Sequence, residues 1–416
     1  MQLDQSLSLL KVFGSYGEIG NQDIPQTYPY ISTWNPRETW FLNEAGIRST
    51  TIGAGALVSP SLTWETVRKT NIGLESAFLN NRLTSKIEVY RNETIGMLIP
   101  GAALPAVLGT GAPRTNAGDL ETTGWELGVG WRDNNGGFSY GINANLSNNQ
   151  TKITKFDNPS GLLSQYFEGQ NIGDIWGYVT DGYYTVDDFV PGTLDANLNG
   201  ANRQLNPDVV TFEDGHLPYP GDIKYKDLDG DNIITDGNNT LSDSGDRKII
   251  GNNRRQYIFG VNGYANYKGF DFSFALSGVG KRDRNISGAK GFPYRGQFDD
   301  IFKHQLDYWT PDNQDAFYPR MFGAGGGDRG NYGASQRTQT KYLRDAAYLR
   351  INNITLGYTL PKLVLNKLNL DKVRIFVSGE NLHTFHKLPK GVTPDVNADG
   401  AYPIQSNYAL GVQLTF

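Results

Sequence analysis

Apolar residues recur at every second position through stretch after stretch of this chain, and no other feature restricts its fold as tightly. The clearest case is the closing stretch. There Tyr408, Leu410, Val412, Leu414 and Phe416 alternate with Ala409, Gly411, Gln413 and Thr415. A period of two places one set on one face of a β-strand and the other set on the opposite face. A strand of this kind fits a soluble sandwich, or the wall of a transmembrane barrel with lipid outside and a polar lumen inside. The stretch by itself leaves both open, although an aromatic at the end of an apolar face favours an apolar exterior.

The remaining strands decide between them. Leu7 to Gly17 alternates, and Thr70 to Leu79 meets Leu83 to Ile95 across Asn80-Asn81-Arg82. Trp125, Leu127, Val129 and Trp131 share a face against Glu126, Gly128, Gly130 and Arg132. After a turn over Asp133–Gly137, Phe138, Tyr140, Ile142, Ala144 and Leu146 alternate with Ser139, Gly141, Asn143 and Asn145. Two further strands flank Lys268-Gly269, and others cover Tyr342 to Leu360, the stretch after Asp371, and the closing stretch. The total is about ten, each long enough for the roughly 9–11 residues of a tilted membrane strand. Glu, Arg and Asn on the second face suit a watery lumen better than a dry core. The connections alternate in length. Short ones follow Leu79, Arg132, Tyr267 and Leu360, and long ones follow Gly17, Ile95, Phe156, Gly280 and Leu382. Outer-membrane barrels sort their loops this way, with tight periplasmic turns and long external loops. A soluble sandwich has no reason to.

Composition agrees. The 416 residues include 50 Gly, 23 Tyr, 20 Phe and 7 Trp, but no Cys, so neither a disulfide framework nor thiol chemistry is available. Mean hydropathy is −0.47, and no apolar run is long enough for a spanning helix, which a barrel does not need. A net charge of −5, with no basic patch interleaved with aromatics, argues against nucleic-acid binding. Met1 to Gln5 shows neither the charged nor the apolar region of a signal peptide, and the first strand follows almost at once. This reads as a piece of a longer polypeptide.

Several segments carry a resemblance. They are Trp64–Glu75 (WETVRKTNIGLE), Gly118–Asp133 (GDLETTGWELGVGWRD), Gly221–Asp236 (GDIKYKDLDGDNIITD) and Arg247–Asn252 (RKIIGN). Tyr267–Gly280 (YKGFDFSFALSGVG), Tyr348–Pro361 (YLRINNITLGYTLP), Val377–Phe385 (VSGENLHTF) and the closing Phe416 complete the set. In this order the chain resembles the C-terminal part of SusC/RagA-type TonB-dependent outer-membrane transporters. The resemblance implies an all-β, antiparallel transmembrane barrel of roughly 22 strands, of which residues 1–416 would supply about the last ten. It further implies residence in the outer membrane, import of oligosaccharides or peptides, a SusD-type surface lipoprotein as lid, and energy from the TonB complex. The plug, the TonB-box segment and the early strands of the family are not seen in the sequence. The long external loops would be residues 157–253 and 282–341.

Candidate chemistry lies in these loops. Asp227, Asp229 and Asp231, with Gly230 between them, have the spacing of loops that fold round a hard cation, and Ile233 would add a carbonyl. The usual twelfth position falls on Asn238, so Asp246 is the candidate to close a calcium site, whose role would be to stiffen the loop. A plain acidic, solvated loop tip is the alternative. Trp176, Tyr178, Tyr183, Tyr184, Tyr294 and Trp309 are candidate sugar-stacking residues. The preferred reading for each is that it packs the loops together or meets the lid. His383 and His386 are too isolated for a metal set, and Gly323–Gly327 lacks the flanks of a phosphate loop. Neither G-x-S-x-G nor H-E-x-x-H occurs, so no catalytic residues are expected. The competing readings are a self-contained ten-stranded barrel with an omptin-like hydrolytic site, and a soluble carbohydrate-binding sandwich.

Overall fold

The computed structural model describes residues 6–21, 30–55, 57–101, 104–108, 110–198, 200, 202–286, 301–321, 333–368, 370–389, 391–395, 402 and 404–416. Strands are numbered in chain order. Ten of them form one antiparallel sheet in which each pairs with the next: β1 (Leu7–Asn21), β4 (Glu65–Phe78), β5 (Leu83–Pro100), β6 (Arg114–Asn135), β7 (Phe138–Lys155), β14 (Gln256–Tyr267), β15 (Phe270–Lys281), β18 (Tyr348–Thr359), β19 (Lys372–His386) and β20 (Asn407–Thr415). The sheet is a single layer, so the sandwich reading fails. Among the described residues β1 and β20 each pair on one side only, so these strands do not close on themselves as a self-contained barrel would.

Directly paired residues share a face. Leu83, Trp131, Ile142, Gly263, Phe274, Ile354, Gly379 and Tyr408 each lie opposite the next, as one row across the sheet. The adjacent row on the other face is Gly130, Asn143, Asn262, Ala275, Asn353, Glu380 and Asn407. Along these rows one face is therefore apolar and the other largely polar. The apolar face is bare: Val12, Val129, Ile142, Leu356, Val377, Leu410 and Val412 are all exposed. In water so large a patch is a liability; against lipid chains it is the required surface. The apolar residues run obliquely across the rows. On β1 they lie toward the long-loop end of the Tyr408 row (Val12, Tyr16), and on β20 toward the short-turn end (Leu410, Val412, Leu414). Strands tilted by roughly 35–45° to a membrane normal produce this slant.

Two rows above Trp125 on the outward face, charge replaces hydrocarbon. Glu18, Arg68, Glu93, Glu121 and Lys152 form a row across β1, β4, β5, β6 and β7. Arg68 meets Glu18 at 2.6 Å, and Arg91 bridges Glu93 at 3.1 Å and Glu121 at 2.6 Å. This ladder marks where the hydrocarbon layer ends. The polar face has its own pairs, with Lys11 on Glu75 at 3.2 Å and Arg374 Nε on Asp271 at 2.9 Å. Aromatic rings there also cover glycines on the neighbouring strand, Phe13 over Gly73 and Tyr264 over Gly141. A Cβ at either glycine would collide with the ring, so a small residue is needed for the ring to lie flat on the sheet.

The short connections are tight. Lys268 and Gly269 both have positive φ (47° and 90°), as the two-residue turn between β14 and β15 requires. The turn after β6 is narrower than the sequence suggests, since only Gly136 and Gly137 lie outside the strands. The connection after Pro361 holds a short helix, α1 (Lys362–Leu368). The long connection after β1 contains a hairpin the sequence reading missed, β2 (Trp34–Leu42) with β3 (Arg48–Ala54). Its Pro36 and mixed residues obscure the alternation. Tyr342 precedes its strand instead of opening it: β17 (Leu343–Asp345) pairs with β16 (Asp283–Asn285), and β18 starts at Tyr348.

The two faces predict opposite responses to charge. Val261→Lys, on the outward face near the middle of β14, should lower the stability of the receptor in bilayers by about 2–4 kcal/mol. Asn262→Lys, one residue on, should change it little. Urea titration in lipid vesicles reads both, and the reverse order would mean that the faces have been assigned the wrong way round.

Candidate functional site

The connection between β7 and β14 folds on three small strand pairs. They are β8 (Asp174–Tyr178) with β13 (Arg247–Asn252), β9 (Thr180–Tyr183) with β11 (Ile223–Tyr225), and β10 (Thr211–Phe212) with β12 (Ile233–Ile234). Its buried residues do not form a core alone. Tyr178, Tyr184, Phe189, Phe212, Ile223, Tyr225 and Ile234 pack with Tyr318, Ala334 and Tyr342 from the next long connection. Two segments widely separated in sequence thus make one folded unit at the long-loop end of the sheet.

Polar contacts fix their register. Gln339 is fully buried, and its Nε2 donates to Tyr225 Oη at 3.0 Å while its Oε1 accepts from Thr180 Oγ1 at 2.9 Å. The Tyr178 N–H donates to Thr338 O at 2.8 Å, and the Thr340 N–H to Tyr178 O at 3.1 Å. Tyr219 lies between two guanidinium groups, Arg203 at 3.4 Å and Arg320 at 4.0 Å from the ring centre, and Arg320 also pairs with Asp222 at 3.2 Å. Lys341 Nζ sits 4.4 Å from the Tyr183 ring centre, and burial lowers its pKa. Cations over desolvated rings add to the aromatic packing.

This arrangement fits the packing reading, and not sugar stacking, for most of the six aromatics. Tyr178, Tyr184 and Trp309 are core residues, with Tyr184 0% exposed. The Tyr184 hydroxyl donates to Val210 O at 3.0 Å, and the Tyr183 hydroxyl to Ala316 O at 2.9 Å. Burial is the main cause that raises the pKa of Tyr178, Tyr183 and Tyr184. Rings held this way have no free face for a sugar. Trp176 is half-buried in β8, with its Nε1 sealed from solvent. Tyr294 lies outside the described residues. Sequence reading singled out aromatics of both connections but not the partners Tyr318, Gln339 and Tyr342; the further aromatics of the second connection were the available signal.

The acidic turn has a defined shape. Asp227 accepts N–H bonds from Gly230 (2.6 Å) and Asn232 (2.8 Å), and Asp229 accepts one from Asp231. Asp246, fully buried, accepts from Leu228 and Thr235 at 2.7 and 2.8 Å, pinning both ends of the turn. One carboxylate oxygen from each of Asp227, Asp229 and Asp246 lies within 4.8 Å of the others, a spread that suits oxygen ligands at roughly 2.3–2.6 Å from a shared calcium ion. Asp231 is not in this group; it accepts the Ile233 N–H at 2.7 Å. Ile233 itself opens β12. Backbone donors hold Asp227 below the usual carboxylate range, whereas loss of water and the neighbouring carboxylates of Asp231, Asp246 and Asp227 push Asp229 up.

Among the described residues no acid–base site is assembled around the histidines. His216 Nδ1 meets Asp214, but the ring stacks on Phe212 at 4.1 Å and its Nε2 is buried without a partner. Burial lowers the pKa of His216 despite the carboxylate. A general base needs an accessible nitrogen beside a reacting proton. His383 and His386 lie in β19, and His386 Nδ1 accepts the Leu388 N–H at 3.1 Å.

A family model described as "TonB dependent receptor-like, beta-barrel" matches residues 2–207. Curated relatives extend the similarity. TonB-dependent receptor P3 of Formosa agariphila is 28% identical over 387 residues, covering 86% of this chain and 34% of its own length. TonB-dependent receptor SusC of Bacteroides thetaiotaomicron is 23% identical over 419 residues, covering 99% of this chain and 38% of its own. The chain therefore spans well under half the length of these relatives. Among solved structures, the RagAB peptide importer in its "closed-closed" state superposes with a TM-score of 0.70 at 21% identity, covering 100% of this chain and 42% of that one. The relatives are receptors, not enzymes, which removes the omptin-like reading. Taken with the two-faced antiparallel sheet, these matches make the chain similar to a stretch of the β-barrel of SusC/RagA-type TonB-dependent receptors.

Proposed function

We propose that this chain forms barrel wall and external surface of a TonB-dependent importer of oligosaccharides or peptides. The observation that carries the reading is the folded unit made by the two long connections. It stands on a wall whose inner face is polar, where a passing hydrophilic substrate would meet it. A SusD-type surface lipoprotein is the partner proposed for the external side, and the TonB complex the source of energy. The β2–β3 hairpin supports the first, since it holds up Trp40 and Phe41 at 84% and 83% exposure. Apolar aromatics rimmed by polar residues mark protein contact sites.

The acidic turn fits the same reading as a structural cation site. Asp227, Asp229 and Asp246 would hold calcium, and the ion would supply positive charge where the three carboxylates crowd together. It would tie the turn between β11 and β12 to the start of β13 and so stiffen the external unit.

Two experiments test these readings. Cells carrying the complete receptor should take up labelled oligosaccharide or peptide in a TonB-dependent way, and removing residues 157–253 should abolish it. Undiminished uptake would rule out a role for the loop unit. Calcium at a hundred-fold excess over its Kd should stabilise the receptor by about 2.7 kcal/mol, read as a rise in Tm that EDTA reverses. Asp229→Asn should remove the effect. The folded pKa of Asp229 is raised, so on acidification it takes up a proton before Asp227, and calcium stabilisation should fade from the Asp229 side first. A Tm indifferent to calcium at neutral pH would leave the turn as a hydrogen-bonded tip only.

A further inference from the structure

The outward face of the sheet changes character toward its long-loop end. Ile72 on β4 and Val89 on β5 are paired, exposed apolar residues of the wall, and Trp125 on β6 lies opposite Val89. Two residues along each strand toward the long loops, the same face carries Tyr16, Thr70, Arg91, Thr123 and Gln150 as one row. Two residues further come Glu18, Arg68, Glu93, Glu121 and Lys152. Neither row holds an aliphatic side chain. A strand rises about 3.3 Å per residue, so the rows lie roughly 7 and 13 Å along the strands beyond the apolar one. In a bilayer the polar headgroups begin there, directly above the hydrocarbon.

Within these rows the carboxylates are engaged and most of the cationic N–H groups are not. Glu18 accepts from Tyr16 Oη at 2.5 Å and from Arg68 Nε at 2.6 Å. Glu93 and Glu121 both accept from Arg91 Nη2, at 3.1 and 2.6 Å. Among the described residues, this leaves both terminal nitrogens of Arg68, and Nε and Nη1 of Arg91, without a hydrogen bond. Lys152 is exposed opposite Glu121, and among the described residues its ammonium has neither hydrogen bond nor ion pair. The band thus offers spare N–H donors and no spare acceptor of equal strength on the side of the wall that faces lipid. A phosphate ester supplies the complement, several acceptor oxygens with negative charge, which an Arg fork and a Lys point charge both hold. A soluble anion would gain nothing from the apolar wall below. A lipid carries its phosphate and its acyl chains in the same order as the wall carries cations and hydrocarbon.

We propose that Arg68, Arg91 and Lys152 bind the phosphate of a lipid headgroup in the external leaflet, with its acyl chains lying along Ile72, Val89 and Trp125. The site stands apart from the import reading, since it lies on the outside of the wall. Native mass spectrometry of the complete receptor in detergent, titrated with dioctanoyl phosphatidic acid, tests it. Dioctanoyl glycerol, with the same chains and no phosphate, should bind about tenfold more weakly. Arg68→Gln and Lys152→Gln should each weaken phosphatidic acid about fivefold, and Lys11→Gln on the polar face should leave it unchanged. If Arg68→Gln unfolds the receptor by releasing Glu18, Lys152→Gln carries the test, because it breaks no contact within the protein. Equal binding of the two lipids would reduce the contact to hydrocarbon and overturn the proposal. So would phosphatidic acid held as tightly by the Lys152 variant as by wild type. Displacement of the lipid by an equal concentration of inorganic phosphate would assign the cations to a free anion instead, and would overturn the lipid assignment.

Discussion

Every backbone N–H and C=O at membrane depth must find a partner within the protein, because hydrocarbon offers none and each orphan costs several kcal/mol. The uninterrupted antiparallel ladder from β1 to β20 is this chain's answer. The ladder then dictates the rest. It forces directly opposed residues onto one face, so a single apolar row extends from Leu83 to Tyr408 without any strand choosing its own orientation. Among the described residues it also leaves β1 and β20 paired along one side each. Such edges are tolerable only when another strand covers them. In relatives more than twice as long, there is chain enough to do so.

Above the bilayer the constraint changes, and so does the architecture. The long connections no longer answer to lipid, and they bury aromatic surface against each other. The principal device is one polar side chain. Gln339 is buried and spends its donor and acceptor capacity on Tyr225, Ser335 and Thr180, so that it specifies the register of two segments otherwise joined by generic ring packing. The stack of Arg203, Tyr219 and Arg320 serves the same end at the rim. External loops that fold as one body present a fixed surface to a partner and to substrate, and a fixed surface binds at lower entropic cost than loops that must order on contact.

The barrel was legible in the residues because its signal is local. Alternation at Trp125–Trp131 or Phe138–Leu146 is a property of each strand, and a period of two survives without knowledge of what lies opposite. The β2–β3 hairpin was not legible, because Pro36 and the irregular pairing between Glu38 and Leu42 blur its period. The acidic turn was half legible. Spacing brought out Asp227 and Asp229, but it gave Asp231 the same weight, and only the folded turn shows Asp231 facing the Ile233 N–H.

Sequence alone determined the face each strand residue takes, the order of the strands and the ends on which long and short connections lie, since strand geometry and the demands of lipid leave little else. Only the tertiary structure decided what the loop aromatics do. Tyr178 and Tyr184 have the composition of sugar platforms, but whether a ring meets solvent or another ring depends on partners such as Tyr318 and Tyr342, far along the chain.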